Sequence, residues 1–271
     1  MYHFLDFEKP ISILEGRIEE LKHLSSGDGI NIGLEVSKLE EQLENELKKT
    51  YSKLTPWEKV KVARHPLRPH PSDIIKNLFD NWQPLAGDRS YAEDNAVLGG
   101  VAKIEKDPVV IIGIEKGKTV DSRIFHNFGM VRPEGYRKAE RLIKFAEKFS
   151  LPVLTFIDTA GAYPGKGAEE RGQAEAIAQC IKTSLNASVP IISTITGEGG
   201  SGGAIALAVV LIFVFRGGSE SSNPKDVAED LTSRTRPGDT ALPPHPAAIS
   251  CVHFFFKIHQ SPLQSAQKKK V

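Results

Sequence analysis

Between Gly197 and Gly203 the chain places five glycines in seven residues, GEGGSGG. This stretch follows the β-branched apolar run from Val189 to Thr196 and precedes a segment of helical composition that opens at Ala204. Glycine lacks the Cβ that keeps a ligand off the main chain, and it permits positive φ angles. Main-chain N–H groups can therefore converge there on one point. At a helix start those donors have no intrahelical acceptor and the helix dipole adds partial positive charge, so the turn suits an anion or an oxyanion that develops during a reaction. A tight turn with no ligand is the alternative, but each glycine inside regular structure costs about 0.5–1 kcal/mol, which makes so many a poor choice for turning alone.

A second turn repeats this logic upstream. Val153 to Ile157 reads as a buried strand, and Asp158, Thr159, Ala160, Gly161, Ala162, Tyr163, Pro164 and Gly165 turn the chain before a helix expected from Glu169 to Leu185. Asp158 either accepts backbone N–H bonds and holds the turn open or is a plain turn aspartate. Gly161 and Ala162 leave room for a ligand, as do Gly199 and Gly200 in the later turn. Both turns follow the carboxyl ends of predicted strands, where open α/β sheets place their ligands.

The elements that must position these turns alternate along the chain. Ala96 to Gly117 predicts two strands, with Gly99 and Gly100 as a point of close approach and Asp107-Pro108 as the turn between them. Phe128 to Phe149 predicts a helix with Pro133 near its start and a buried stripe of Tyr136, Ala139, Leu142, Ile143, Ala146 and Phe149. Strands poor in polar residues between helices predict a mainly parallel sheet covered by helices. Further upstream, Ile11, Leu14, Ile18 and Leu21 recur at helical spacing and Leu34 to Leu54 carries a second amphipathic pattern, so a helical hairpin begins the chain, as a docking element or a solvated arm. A basic stretch follows from Lys48 to His70, a solvated loop or a surface for coenzyme A phosphates or an acidic partner. Ile74 to Trp82 predicts a short helix.

Composition narrows the function. Among 271 residues, 35 basic side chains balance 34 acidic ones for a net charge of +1, which argues against a protein built to bind nucleic acid through its phosphates. Two cysteines, Cys180 and Cys251, are too few for a four-cysteine zinc site or a disulfide framework, and a reducing compartment follows. The first residues carry acids and no long apolar core, unlike a secretory signal. Gly113 to Thr119, GIEKGKT, is one residue short of a phosphate-binding loop, so Lys116 and Lys118 read as surface charges.

DTAGAYPG followed by EERGQAEAIA and then GEGGSGGA, with NFGMVRPEGYRKAERL upstream and LDFEKPI near the amino terminus, resembles the α subunits of the bacterial-type acetyl-CoA carboxylase carboxyltransferase over about residues 5–207. The resemblance implies an α/β fold of crotonase-like ββα units. It also implies transfer of a carboxyl group from carboxybiotin, carried on a separate biotin carboxyl carrier protein, to acetyl-CoA, giving malonyl-CoA for fatty acid synthesis. By resemblance Gly202, Gly203 and Ala204 present N–H groups to the biotin urea oxygen, while Gly161 and Ala162 line the same cavity. The partners implied are a β subunit bearing a zinc ribbon, in an α2β2 assembly, and biotin carboxylase. This chain would hold no metal, no nucleic acid and no membrane, and would work in the cytoplasm.

After Ala208 the resemblance stops. The remaining residues are rich in Pro, Ser, Thr and charge around one apolar island, Ile249 to Ile258, and predict a disordered tail, the product of truncation or a shifted reading frame, or a foreign tail. Three parts are expected: a helical arm and basic loop over residues 1–90, a partial carboxyltransferase domain over 91–208, and the tail over 209–271. Two other readings stand beside this one. Gly197-Glu198-Gly199-Gly200-Ser201-Gly202 formally matches the GxGxxG of a dinucleotide-binding oxidoreductase. A non-catalytic interaction scaffold is the other, since loss of the remaining lobe would abolish turnover.

Overall fold

The computed structural model describes residues 4–24, 33–208 and 212–214. The tail lies outside the described residues apart from one short strand, as do its cysteine and its apolar island. The chain divides between Arg68 and Pro69 into two compact units.

The first unit is helical. Helix α1 spans Lys9–Leu24, α2 spans Gly33–Ser52 and α3 spans Pro56–Ala63. The Lys22 ammonium reaches Glu40 at 2.8 Å and so links α1 to α2. The Tyr51 hydroxyl donates to the carboxylate of Glu8, and Lys61 pairs with Asp6 at 2.7 Å. Thr55 caps α3 by accepting the N–H of Glu58, with Pro56 at the first helical position, where a missing N–H does no harm.

The second unit is an α/β layer structure. In order it runs α4 (Pro71–Leu78), β1 (Asp80–Pro84), β2 (Val97–Ile104), β3 (Asp107–Ile114), α5 (Val120–Phe125), α6 (Pro133–Lys148), β4 (Val153–Thr159), α7 (Lys166–Glu169), α8 (Gln173–Asn186), β5 (Ile191–Gly199), α9 (Ser201–Ala208) and β6 (Ile212–Val214). The strands form one sheet in sequence order. Pairs β1–β2 and β2–β3 are antiparallel, and β3–β4, β4–β5 and β5–β6 are parallel. The β2–β3 hairpin followed by α6 makes a ββα unit; β4 and β5 are each followed by helix.

Side chains alternate across the sheet as the pleat requires. Val110, Ile112 and Ile114 of β3 join Tyr136, Leu142, Ile157, Cys180 and Leu207 in one cluster, while Val109 and Ile111 join Ile75, Phe79, Leu154 and Phe156 on the other face. Gly99 and Gly100 are points of close approach, as the sequence predicts: a Cβ on Gly99 would collide with Leu142 of α6, and one on Gly100 would collide with the Gln83 carbonyl of β1.

Some element limits differ from expectation. The hairpin turns at Glu105 and Lys106, Glu105 taking φ +55, so that Asp107 and Pro108 already pair with Ile104 and Lys103. Helix α6 starts at Pro133, because Asn127, Phe128 and Gly129 take positive φ. Phe149 caps α6 and is 54% exposed, so the buried stripe ends at Ala146. The segment expected as helix through Trp82 leaves α4 at Leu78 and enters β1. The helix expected from Glu169 is broken at Gly172, whose φ is +78, and α8 begins one residue later.

Candidate active site

Strands β4 and β5 end side by side, and both glycine turns leave from there. Thr159 pairs with Gly199, two residues out of step with the preceding pair Ile157–Ile195. Across this bulge Gly200 N–H donates to the Thr159 carbonyl at 2.8 Å, and the Glu198 N–H donates to the Asp158 carboxylate at 3.0 Å. Asp158 is fully buried, and the bond it accepts from Glu198 ties the end of β4 to β5.

The first turn is fixed by a hydroxyl. Thr159 Oγ1 accepts the Gly161 N–H at 3.0 Å and lies 2.7 Å from the Gly129 carbonyl and 2.9 Å from that of Gly161. Tyr163 N–H donates to the Val131 carbonyl at 3.0 Å, and the Gln173 amide donates to the same oxygen at 2.8 Å. Arg171 pairs with the buried carboxylate of Glu134. Thus the NFGMVRPEGY stretch, the DTAGAYPG turn and the EERGQ stretch, separate in sequence, meet around one point.

The second turn presents its glycines in different directions. A Cβ on Gly202 would meet nothing within 4 Å, so this residue faces open space. A Cβ on Gly203 would lie 2.6 Å from the Ala162 nitrogen and 2.9 Å from the Tyr136 hydroxyl, so this residue is packed against the first turn. Ser201, Gly202 and Gly203 fill the first three positions of α9, where an N–H has no acceptor within the helix. Ser201, the one side chain among these glycines, takes φ +59 and is exposed.

Two expected contributors drop out. The Ala204 N–H already donates to the Gly200 carbonyl at 3.2 Å as the first bond of the helix, so it is not open to a ligand. Gly200 is likewise committed through its N–H, and its Cβ position is filled by Ala160. Gly199 is exposed at the end of β5, and Gly161 and Ala162 sit half-buried, the Cβ position of Gly161 being 3.7 Å from that of Ser201. The N–H groups outside the helical ladder are therefore those of Ser201, Gly202 and Gly203; Gly202 faces open space, Gly203 is packed against Ala162, and the Gly161 N–H is spent on Thr159.

Sequence reasoning missed the ionic layer beneath the turns. Lys116, expected on the surface, places its ammonium 3.2 Å from Asp158 and pairs with the Glu198 carboxylate, its side chain only 17% exposed. Lys118 does behave as a surface charge and pairs with Asp73 at 2.5 Å. Deeper, His70 Nδ1 lies 3.1 Å from Glu115 and 4.0 Å from Asp158. Burial acts to raise the Glu115 carboxyl, but hydrogen bonds from His70, Ser72 and the Gly117 N–H overcome it and hold the group down at about 2. Burial also pushes the Tyr136 phenol far above its ordinary range, which keeps its hydroxyl neutral; among the described residues that hydroxyl has no hydrogen-bond partner.

The formal GxGxxG match does not make a phosphate loop. Gly197 and Gly199 belong to β5 and only Gly200 stands in the turn, whereas dinucleotide binding needs its glycines after the strand. Among the described residues, no group of three or more His, Cys, Asp or Glu side chains could hold a metal ion, and no helix is long and apolar enough to cross a membrane.

Residues 4–214 match the family model described as acetyl co-enzyme A carboxylase carboxyltransferase-like. The chain belongs to this family. It is 58% identical over 206 residues to the acetyl-coenzyme A carboxylase carboxyl transferase subunit alpha of Paramagnetospirillum magneticum, a match covering 76% of this chain and 65% of that protein. It is 57% identical over 209 residues to the protein of the same name from Agrobacterium fabrum, covering 77% and 66%. The chain thus spans just under two thirds of the length of these carboxyltransferase relatives. Among solved structures, a single-chain, multi-domain long-chain acyl-CoA carboxylase aligns at 20% identity and a TM-score of 0.47, over 76% of this chain and 21% of that one.

Proposed function

We propose that this chain supplies the biotin-side half of an acetyl-CoA carboxylase carboxyltransferase site, moving a carboxyl group from carboxybiotin on a separate carrier protein to acetyl-CoA. The observation that carries the reading is the open face of Gly202 at the start of α9, with the N–H groups of Gly202 and Gly203 free of intrahelical acceptors. Carboxybiotin brings the transferable carboxyl group and a urea oxygen that gains negative charge as that group leaves. The two N–H groups are the donors that hold this oxygen. They are fixed in advance by the packing of Gly203 against Ala162, and a fixed donor costs no reorganisation when charge develops; losing one such donor typically costs about 2.7–4 kcal/mol of barrier. No side-chain acid is required at that point, which suits a turn whose one side chain is Ser201.

The residues present fit the group. A Cβ on Gly202 would meet nothing within 4 Å, which leaves room for a ligand in front of the turn, and on this reading Gly161 and Ala162, packed against Ser201 and Gly203, line that room from the first turn. On this reading a β subunit completes the site with the coenzyme A thioester, the working unit is an α2β2 assembly that collaborates with the biotin carrier and biotin carboxylase, and the reaction takes place in the cytoplasm.

The test is a pair of measurements on the full chain. Malonyl-CoA formation is followed with added β subunit and carboxylated carrier, and free biotin binding is followed by saturation-transfer NMR. Turnover and saturable biotin binding are expected, both lost in Gly202→Ala with the melting temperature retained. Unchanged binding and turnover in Gly202→Ala would overturn the assignment, and absence of turnover in the parent chain would favour the scaffold reading.

A further inference from the structure

The bulge at the end of β5 has to be held against a cluster of like charges. Three consecutive parallel strands bring a carboxylate to their carboxyl ends: Glu115 directly after β3, Asp158 in β4 and Glu198 in β5. All three are largely or fully buried, with Glu198 at 19% side-chain exposure. Between Ile157–Ile195 and Thr159–Gly199 the β5 side carries two extra residues, so Asp158 alone faces Thr196, Gly197 and Glu198. A bulge leaves ladder groups unpaired and re-aims the strand that follows.

Here the missing ladder bonds are replaced by side chains. Asp158 accepts the Glu198 N–H at 3.0 Å, and the Thr196 hydroxyl donates to the Ile157 carbonyl at 3.3 Å. Asp158 and Glu198 would then repel each other, and at short range in a poorly solvated site that repulsion would lever β5 away from β4. The Lys116 ammonium lies between them, 3.2 Å from Asp158 and paired with Glu198. Its route is built in: a Cβ on Gly129 would stand 2.6 Å from the Lys116 Cγ, so the glycine of NFGM clears the path for the lysine stem.

We propose that Lys116 is a positioning residue for the catalytic turn. It touches no substrate; by bridging Asp158 and Glu198 and offsetting part of their repulsion it keeps the β5 bulge in one geometry and so aims the N–H groups of Gly202 and Gly203. The role in turnover rests on the carboxyltransferase reading above, whereas the effect on the turn does not.

The experiment compares Lys116→Met, Glu198→Gln and the double variant in the full chain. Backbone amide exchange is read by NMR, and kcat and the acetyl-CoA KM are read in the reconstituted assay. In Lys116→Met, exchange at Gly199 to Gly203 rises about tenfold or more while the β3 and β4 amides keep wild-type protection. A misaimed donor pair lowers kcat by up to about 100-fold with KM within about twofold, since misplacement of roughly 1 Å can cost that much. Removing the Glu198 charge in the double variant recovers part of both effects. Glu198→Gln keeps the shape of the side chain and guards against a Lys116 variant that does not fold; it gives the same local loosening, to a smaller extent. Wild-type turn exchange in both single variants overturns the proposal, as does a uniform loss of protection across the sheet. Turn loosening in a chain whose Gly202→Ala variant behaves as wild type leaves the positioning role standing and removes the carboxyltransferase assignment instead.

Discussion

The backbone nitrogen of Ala162 stands 2.6 Å from the point where a Cβ on Gly203 would sit, so the two glycine turns are in direct contact through a missing side chain. Gly202, its neighbour in sequence, faces space empty to 4 Å. The two glycines therefore answer to different forces. Gly203→Ala is expected to lower stability by about 1–3 kcal/mol, the usual cost of overpacking, because the nearest neighbours, the Ala162 nitrogen and the Gly161 carbonyl carbon, are backbone. Gly202→Ala should be neutral or stabilising by up to about 1 kcal/mol, since alanine favours a helix over glycine. Urea unfolding followed by circular dichroism of each variant checks both; equal losses would show that the turns are not packed as described.

Glu115 links acid stability to the same region. Its carboxyl is held at about 2 in the fold against an ordinary value of 4.5, so the folded state prefers the ionised form. The stabilisation is complete above the ordinary value and disappears as pH falls from there through about 2. It amounts to about 3 kcal/mol at most. Chemical denaturation at a series of pH values from 6 down to 2 should show the parent losing stability over that window and Glu115→Gln, already weaker at pH 6, losing less. Parallel curves would rule out this origin.

The thiol of Cys180 is fully buried and donates to the Ala206 carbonyl at 3.3 Å. Burial, with the Glu140 charge adding to it, pushes that thiol up to about 12. In a Cys251→Ser variant, which leaves this sulfur alone, alkylation by iodoacetamide at pH 8 should be negligible in the native protein and complete in denaturant. Rapid labelling of the native protein would show that α8 and α9 do not pack as described.

Beneath the last turn of α9, Thr155 Oγ1 and Ser193 Oγ lie 2.8 Å apart and 3.0 and 2.9 Å from the Leu207 carbonyl. Thr155→Val removes one donor and leaves the Ser193 hydroxyl to satisfy that carbonyl, for an expected loss of about 1 kcal/mol. Ser193→Ala together with Thr155→Val strands the carbonyl and should cost more than the sum of the two single changes. A double-mutant cycle by thermal unfolding measures the difference, and strict additivity would mean that the hydroxyls act independently.

Strand, turn and helix around both glycine stretches were legible in the sequence because each follows from local composition: β-branched runs bury, glycines turn, and Pro133 opens a helix. Element limits were less so where the deciding term is a backbone angle, as at Glu105 and Asn127, since nothing in a glutamate or asparagine compels positive φ. Which amides stay open was not legible at all. Ala204 and Gly202 are two residues apart, and only the start of the helical ladder tells a spent donor from a free one. Lys116 was invisible for another reason: its partners Asp158 and Glu198 come from other strands, and a lysine beside a glycine turn reads as solvated until the sheet brings those carboxylates to it.

The hydroxyls under Leu207 also hold the foot of α9, at the opposite end from the amides of Gly202 and Gly203. Over eight residues a rigid rod pinned at its base swings most at its tip. A small slip at Thr155 or Ser193 would thus be magnified into a tilt of the helix axis. Side chains in the floor of the sheet thereby set the angle at which the amides of Gly202 and Gly203 are presented.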